Sequence, residues 1–190
     1  MKFIFLFFFP FVIALFIDAE KKSLSRPDDP FADGRIQYCA PGFDTARLGM
    51  GPAPLIEGLG DVHFEISTRS KKVQKYFDQG LALAFGFNHA EAARSFKEAI
   101  KLEPELGIAY WGLAFVLGPN YNAGLDASVL DQINEALAKA AKYSSKASPV
   151  EQALIHALSL RFPRSPVDDL SPYSEAYSAA MRKAYEQFPD

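Results

Sequence analysis

Residues 70–104 read SKKVQKYFDQGLALAFGFNHAEAARSFKEAIKLEP, and this stretch decides the fold. Ser70 can cap a helix that runs to about Phe85, and the Asn88-x-x-Glu91 pair can cap a second helix. Pro104 ends the second helix, because the residue before a proline is biased away from the helical conformation. The stretch therefore predicts a hairpin of two helices.

Helix signals continue along the rest of the chain at similar intervals. Ser148-Pro149-x-Glu151 combines a capping box with proline at the first helical position. Gly118-Pro119-Asn120 marks a stop between two helices. The further helices are predicted at about 105–117, from Asp126 to about Tyr143, from Pro149 to near Phe162, and from Ser171 to just before Pro189. Six helices without a convincing strand predict an all-α protein.

Large and small side chains also recur along these helices. Adding 34 to the positions of Tyr76, Gly80 and Leu83 gives Tyr110, Ala114 and Leu117. The helix between them carries the pattern Ala92-x3-Phe96, then Ala99 and Pro104. This arrangement resembles the tetratricopeptide-repeat family, and in particular its exported bacterial members, over about residues 70–190.

The resemblance implies a right-handed α-α superhelix of about three helical hairpins. The first repeat matches strongly, whereas the second fits only after an insertion in the loop from Gly118 to Gly124. The third repeat matches weakly, and no polar capping helix follows it. The repeat domain, residues 70–190, is therefore predicted to be truncated or uncapped at its C-terminus.

Two segments precede the repeats. The apolar run Phe3 to Ile17 is shorter than a membrane-spanning helix needs, so residues 1–19 are predicted to be a signal peptide. The predicted location is secreted, periplasmic or in the cell envelope. If the run stays uncleaved, it would tether the protein to a membrane. Proline and glycine punctuate residues 20–69, which are predicted to be an extended, irregular arm.

The family's concave groove, carried over by register, is apolar and aromatic in this chain. The resemblance implies that it is lined by Phe77, Leu81, Phe85, Ile108, Trp111 and Phe115. The alternative is that some of these side chains belong to the core, because aromatic residues at helical spacing are more often buried. A third possibility is internal, with Phe64 or Ile66 of the arm covering part of the apolar wall.

Signs of catalysis are missing from the sequence. It has no phosphate loop, nucleophile elbow or dinucleotide fingerprint, and its single cysteine excludes a thiolate zinc site within one chain. The net charge of −3 and scattered basic residues do not suggest nucleic acid. We therefore expect a non-catalytic scaffold without cofactor or metal, which binds a protein or peptide. The alternative is a substrate-presenting or regulatory segment of a larger exported enzyme or envelope complex.

Overall fold

The computed structural model of the protein describes residues 52–189, and this part of the chain is all-α. Its six α-helices are α1 Lys71–Phe85, α2 His89–Leu102, α3 Gly107–Leu117, α4 Leu130–Tyr143, α5 Pro149–Ser159 and α6 Ser171–Gln187. Two short 3-10 turns, Ala127–Val129 and Ser144–Lys146, flank α4. Residues 52–189 contain no β-strand, so the predicted fold class is confirmed there. The predicted signal peptide and residues 20–51 of the predicted arm lie outside the described residues.

The helix starts follow from local hydrogen bonds. The Ser70 side chain accepts a bond from the Val73 amide at 3.3 Å, which caps α1. At α5 the capping box is complete, since the Ser148 hydroxyl accepts from the Glu151 amide and the Glu151 carboxylate accepts from the Ser148 amide. These side chains satisfy amides that have no partner within a helix.

Two predicted helix boundaries differ from the structure, namely the start of α4 and the end of α5. Asp126 caps the short 3-10 turn by accepting from the Ser128 amide at 2.8 Å, and α4 itself begins only at Leu130. Helix α5 ends at Ser159 instead of near Phe162. The amides of Leu160 and Arg161 bond to carbonyls three residues back, which tightens the chain into a 3-10 geometry.

Phe96 joins the first three helices. Its fully buried ring fills the space that side chains at Gly80 and Gly112 would need, since a Cβ there would lie 2.6 and 2.4 Å from ring carbons. The missing side chains let α1 and α3 approach α2 closely around this ring. Helix α3 is the central helix and packs against α1, α2, α4 and α5. Within residues 52–189, no helix combines the length and apolar character that crossing a membrane requires.

Candidate protein-binding surface

The six predicted groove residues fall into two groups. Phe77 and Ile108 are fully buried, and Leu81 and Trp111 nearly so. These four therefore contribute mainly to the core, and Phe77 and Ile108 offer no surface to a partner. Phe115 is partly buried, and only Phe85 is largely exposed, at 67%.

Three of these aromatic side chains form a continuous row that leads from the core to the surface. The rings of Trp111 and Phe115 are stacked, with centroids 5.3 Å apart and planes within 3°. The Phe85 ring lies 6.5 Å from that of Phe115. We call Trp111, Phe115 and Phe85 the aromatic row. Helices α1 and α3 hold it in place, because its inner member is packed in the core.

The sequence around the aromatic row carries no charge. Neither residues 79–90 nor residues 106–125 contain Asp, Glu, Lys or Arg. Exposed apolar surface without nearby charges is typical of sites that bind other proteins. The arrangement suits an apolar side chain of a partner better than a charged one.

The inner end of the row includes a polar atom without a hydrogen bond. Trp111 Nε1 is buried and has no hydrogen-bond partner among the described residues. A buried unpaired donor costs about 1–3 kcal/mol. Such a group is uncommon in a native structure, and because the atom is buried, a partner on the surface does not reach it.

Phe87, two residues beyond Phe85, has an unusual backbone conformation. Its φ of 60° lies in the left-handed region, which disfavours bulky side chains, and its ring is 53% exposed. The preceding Gly86 has a φ of −79°, which any residue can adopt, so the special ability of glycine to adopt positive φ is not used there. The chain thus keeps a strained, exposed aromatic residue where glycine would fit more easily.

Residues 63–68 lie along the opposite half of α1, near its start. The Gln74 side chain donates to the Phe64 carbonyl at 2.8 Å and accepts from the Ile66 amide at 3.2 Å. The Phe64 ring lies 6.3 Å from that of Phe77 and helps to bury it. His63 bonds to Asp78 at 2.8 Å, and that carboxylate raises the pKa of His63 through the hydrogen bond and its charge.

Glu151 connects this segment to α5, a role that sequence reasoning missed. Its fully buried carboxylate accepts from the Ser67 amide at 3.0 Å and also from the Ser67 hydroxyl, besides closing the capping box. Burying a carboxylate is costly unless such bonds compensate. The box itself was visible in the sequence, but no local signal marks a partner 84 residues away.

Nothing in residues 52–189 assembles a metal site, since no three His, Cys, Asp or Glu side chains there cluster suitably. A cleft of about 740 Å³ lies between residues 63–67, the start of α5 and the end of α6, and it is open to solvent. Comparisons of the chain with protein-family models, with curated proteins and with solved structures gave no match.

Proposed function

We propose that the protein is an exported scaffold of the tetratricopeptide-repeat type, which binds a polypeptide partner on the aromatic row and has no catalytic activity. The resemblance in sequence motivates the repeat assignment. It is supported by the similar settings of Tyr76 and Tyr110, which are both nearly buried. Their hydroxyls donate to the carbonyls of Ala53 and Pro104, each at 3.0 Å.

The second hairpin supports the same proposal. In the repeat register assigned from the sequence, Ala136 and Ala140 of α4 correspond to Ala92 and Phe96 of α2, and all four side chains are buried. In the proposed superhelix, α1, α3 and α5 would form the concave wall. Its partner-binding part would be reduced to Phe85, Phe115 and the exposed edges of Leu81 and Trp111.

The exposure of Phe85 at the outer end of the aromatic row is the observation that carries the proposal. A large aromatic ring left in water gains when a partner covers it, by about 25 cal/mol for each Å² buried. Aromatic residues that are held rigidly by their neighbours are the usual hot spots of interfaces. The absence of charged residues from the stretches 79–90 and 106–125 favours an apolar segment of a protein or peptide as the ligand.

A random peptide library displayed on phage tests the proposal. The full chain should enrich peptides with apolar or aromatic residues, and Phe85→Ser with Phe115→Ser should lose this enrichment. Tyr121→Ser is the matched control, because Tyr121 is 95% exposed but is not part of the aromatic row. The same peptides enriched on the double variant would refute the assignment.

Export is the part of the proposal that rests on residues 1–19 alone. The apolar run Phe3 to Ile17 and the small residue Ala19 favour cleavage after Ala19 and a secreted, periplasmic or envelope location. Mass spectrometry of the mature protein should find Glu20 as its first residue. An intact Met1 on a membrane-bound protein would support the tethered form instead.

A further inference from the structure

Besides residues 63–68, a second part of the segment before α1, residues 52–54, is bound by side chains of α1 and α2. Three successive carbonyl oxygens, those of residues 52–54, each accept a hydrogen bond from a side chain. The Arg94 guanidinium donates to the Pro52 carbonyl at 3.0 Å. The Tyr76 hydroxyl donates to the Ala53 carbonyl at 3.0 Å, and the Gln79 amide donates to the Pro54 carbonyl at 2.9 Å. The contacts are therefore made to the backbone of the segment.

The chemistry of the segment suits this mode of recognition. Ala53 is buried between Pro52 and Pro54. Because proline fixes φ and lacks an amide hydrogen, such a segment is already extended and leaves few donors unpaired. The Ile56 amide donates to Gln79 Oε1 at 2.8 Å, so the Gln79 side chain bonds to the backbone of the segment at residues 54 and 56.

The donors are oriented by bonds within α1 and α2 themselves. The buried Gln79 side chain also donates to the fully buried Ser95 hydroxyl at 2.9 Å, and Ser95 in turn donates to the Glu91 carbonyl. The Glu91 carboxylate holds the Arg94 guanidinium at 2.7 Å. The buried Gln79 and the partly exposed Arg94, held in this way, form a preorganised set of donors for carbonyl oxygens.

Residues 52–56 bury less apolar side chain than residues 63–68, where Ile66 is buried and Phe64 is partly buried. The single buried side chain of residues 52–56 is that of Ala53, and Leu55 and Ile56 are exposed. Gly58 and Gly60 follow with φ of 79° and 83°, in open space where an added Cβ would meet nothing. These glycines can act as a hinge that releases residues 52–56 while Ile66 and Glu151 keep the later segment in place.

We infer that Tyr76, Gln79 and Arg94 form a binding site for extended peptides with a small residue between two prolines. Residues 52–54 occupy this site within the same molecule, and an external peptide of the same pattern exchanges with them. The site shares no residue with the aromatic row, so a test of one site does not decide the other.

A fluorescein-labelled peptide with the sequence of residues 51–57, GPAPLIE, tests this inference on the full chain. Ala53→Arg removes the internal occupant without changing the site. This variant should bind the peptide at least roughly tenfold more tightly than the wild-type chain, where the tethered segment competes at a high effective concentration. A peptide with arginine in place of its alanine is the matched control and should not bind. Adding Gln79→Met to the variant should abolish binding, because the two bonds that the Gln79 amide makes to the segment, with the Pro54 carbonyl and the Ile56 amide, are lost.

Three results would overturn the inference. The first is an Ala53→Arg chain with wild-type helicity and melting that does not bind the peptide. The second is equal affinity of the wild-type and variant chains. The third is a variant that no longer folds, which would show that residues 52–54 are an integral part of the core and not an exchangeable ligand.

Discussion

Phe87 has a strained backbone conformation that the turn after α1 imposes on it. The turn after α1 closes with the Asn88 amide bonded to the Leu83 carbonyl at 2.8 Å, and this geometry requires a left-handed residue at position 87. Glycine is the residue that adopts it without cost, yet the chain places glycine one position earlier. A phenylalanine with positive φ costs about 1 kcal/mol or more.

Comparing two replacements of Phe87 therefore separates the cost of its backbone strain from the contribution of its side-chain contacts. Phe87→Gly should unfold at a higher urea concentration than Phe87→Ala, with a difference of about 1 kcal/mol in the free energy of unfolding. Both variants lose the ring, but only glycine relieves the backbone. At an ordinary helical position the order would be reversed, so a more stable alanine variant would contradict the observed φ.

The ion pair of His63 and Asp78 predicts a dependence of stability on pH. The pKa of His63 is raised in the folded state from its usual 6.5, mainly by the hydrogen bond to Asp78. The stabilisation is thus fully present below pH 6.5 and is lost as the pH rises through the folded pKa. We expect His63→Ala to lower the thermal midpoint more at about pH 5.5 than at about pH 8.5. Asp78→Asn is the control background, in which the effect of His63→Ala should no longer vary with pH.

At the scale of the elements, the packing of α1 to α3 around Phe96 makes a further prediction. Alanine normally favours a helix over glycine by about 1 kcal/mol. Gly112→Ala should nevertheless destabilise the protein by about 1–3 kcal/mol, because its Cβ would lie 2.4 Å from the Phe96 ring. In a Phe96→Leu background the same substitution should cost less. A gain in stability from Gly112→Ala in the wild-type chain, measured by chemical denaturation, would contradict this packing.

The helices could be predicted from the sequence because their signals are local. Ser70, Asn88 and Ser148 each cap the helix predicted to start there. Asp126 carries the same signal, but it caps a 3-10 turn first, and the α-helix begins four residues later. A capping side chain fixes where a turn starts and not which type of helix continues from it.

The candidate site was predictable only in part. Register places Phe77 and Phe85 on the same side of α1, eight residues apart, yet one is fully buried and the other is exposed. The difference arises from residues 63–68, which cover only the first half of the helix. The sequence offered Phe64 or Ile66 as residues that could cover part of the wall, but no local signal showed which part of α1 they reach.

At the scale of the whole molecule, Glu151 ties the segment before α1 to the third predicted hairpin. Glu151→Ala removes the capping box and leaves the Ser67 amide and hydroxyl without the buried carboxylate that accepts from them. We expect a loss of about 2–4 kcal/mol in the free energy of unfolding. Hydrogen exchange of the Ser67 amide should accelerate in parallel. Glu175→Ala, at an exposed position of α6, is the matched control and should change neither quantity.

Together, the two proposals give the molecule two separate places for a polypeptide, the aromatic row and the site of residues 52–54. The first is open, and the second is occupied by the chain itself. All three residues of the aromatic row lie within the charge-free stretches 79–90 and 106–125, whereas the second site includes the charged Arg94. We therefore expect an external partner to reach the aromatic row without displacing any part of the chain.

A titration of the isotope-labelled full chain with a peptide selected from the library, followed by amide chemical shifts, tests the central claim most directly. The account predicts that the largest changes fall on residues 81–88 and 111–118, around the aromatic row. Changes confined to other parts of the chain, with Phe85 and Phe115 unaffected, would contradict it.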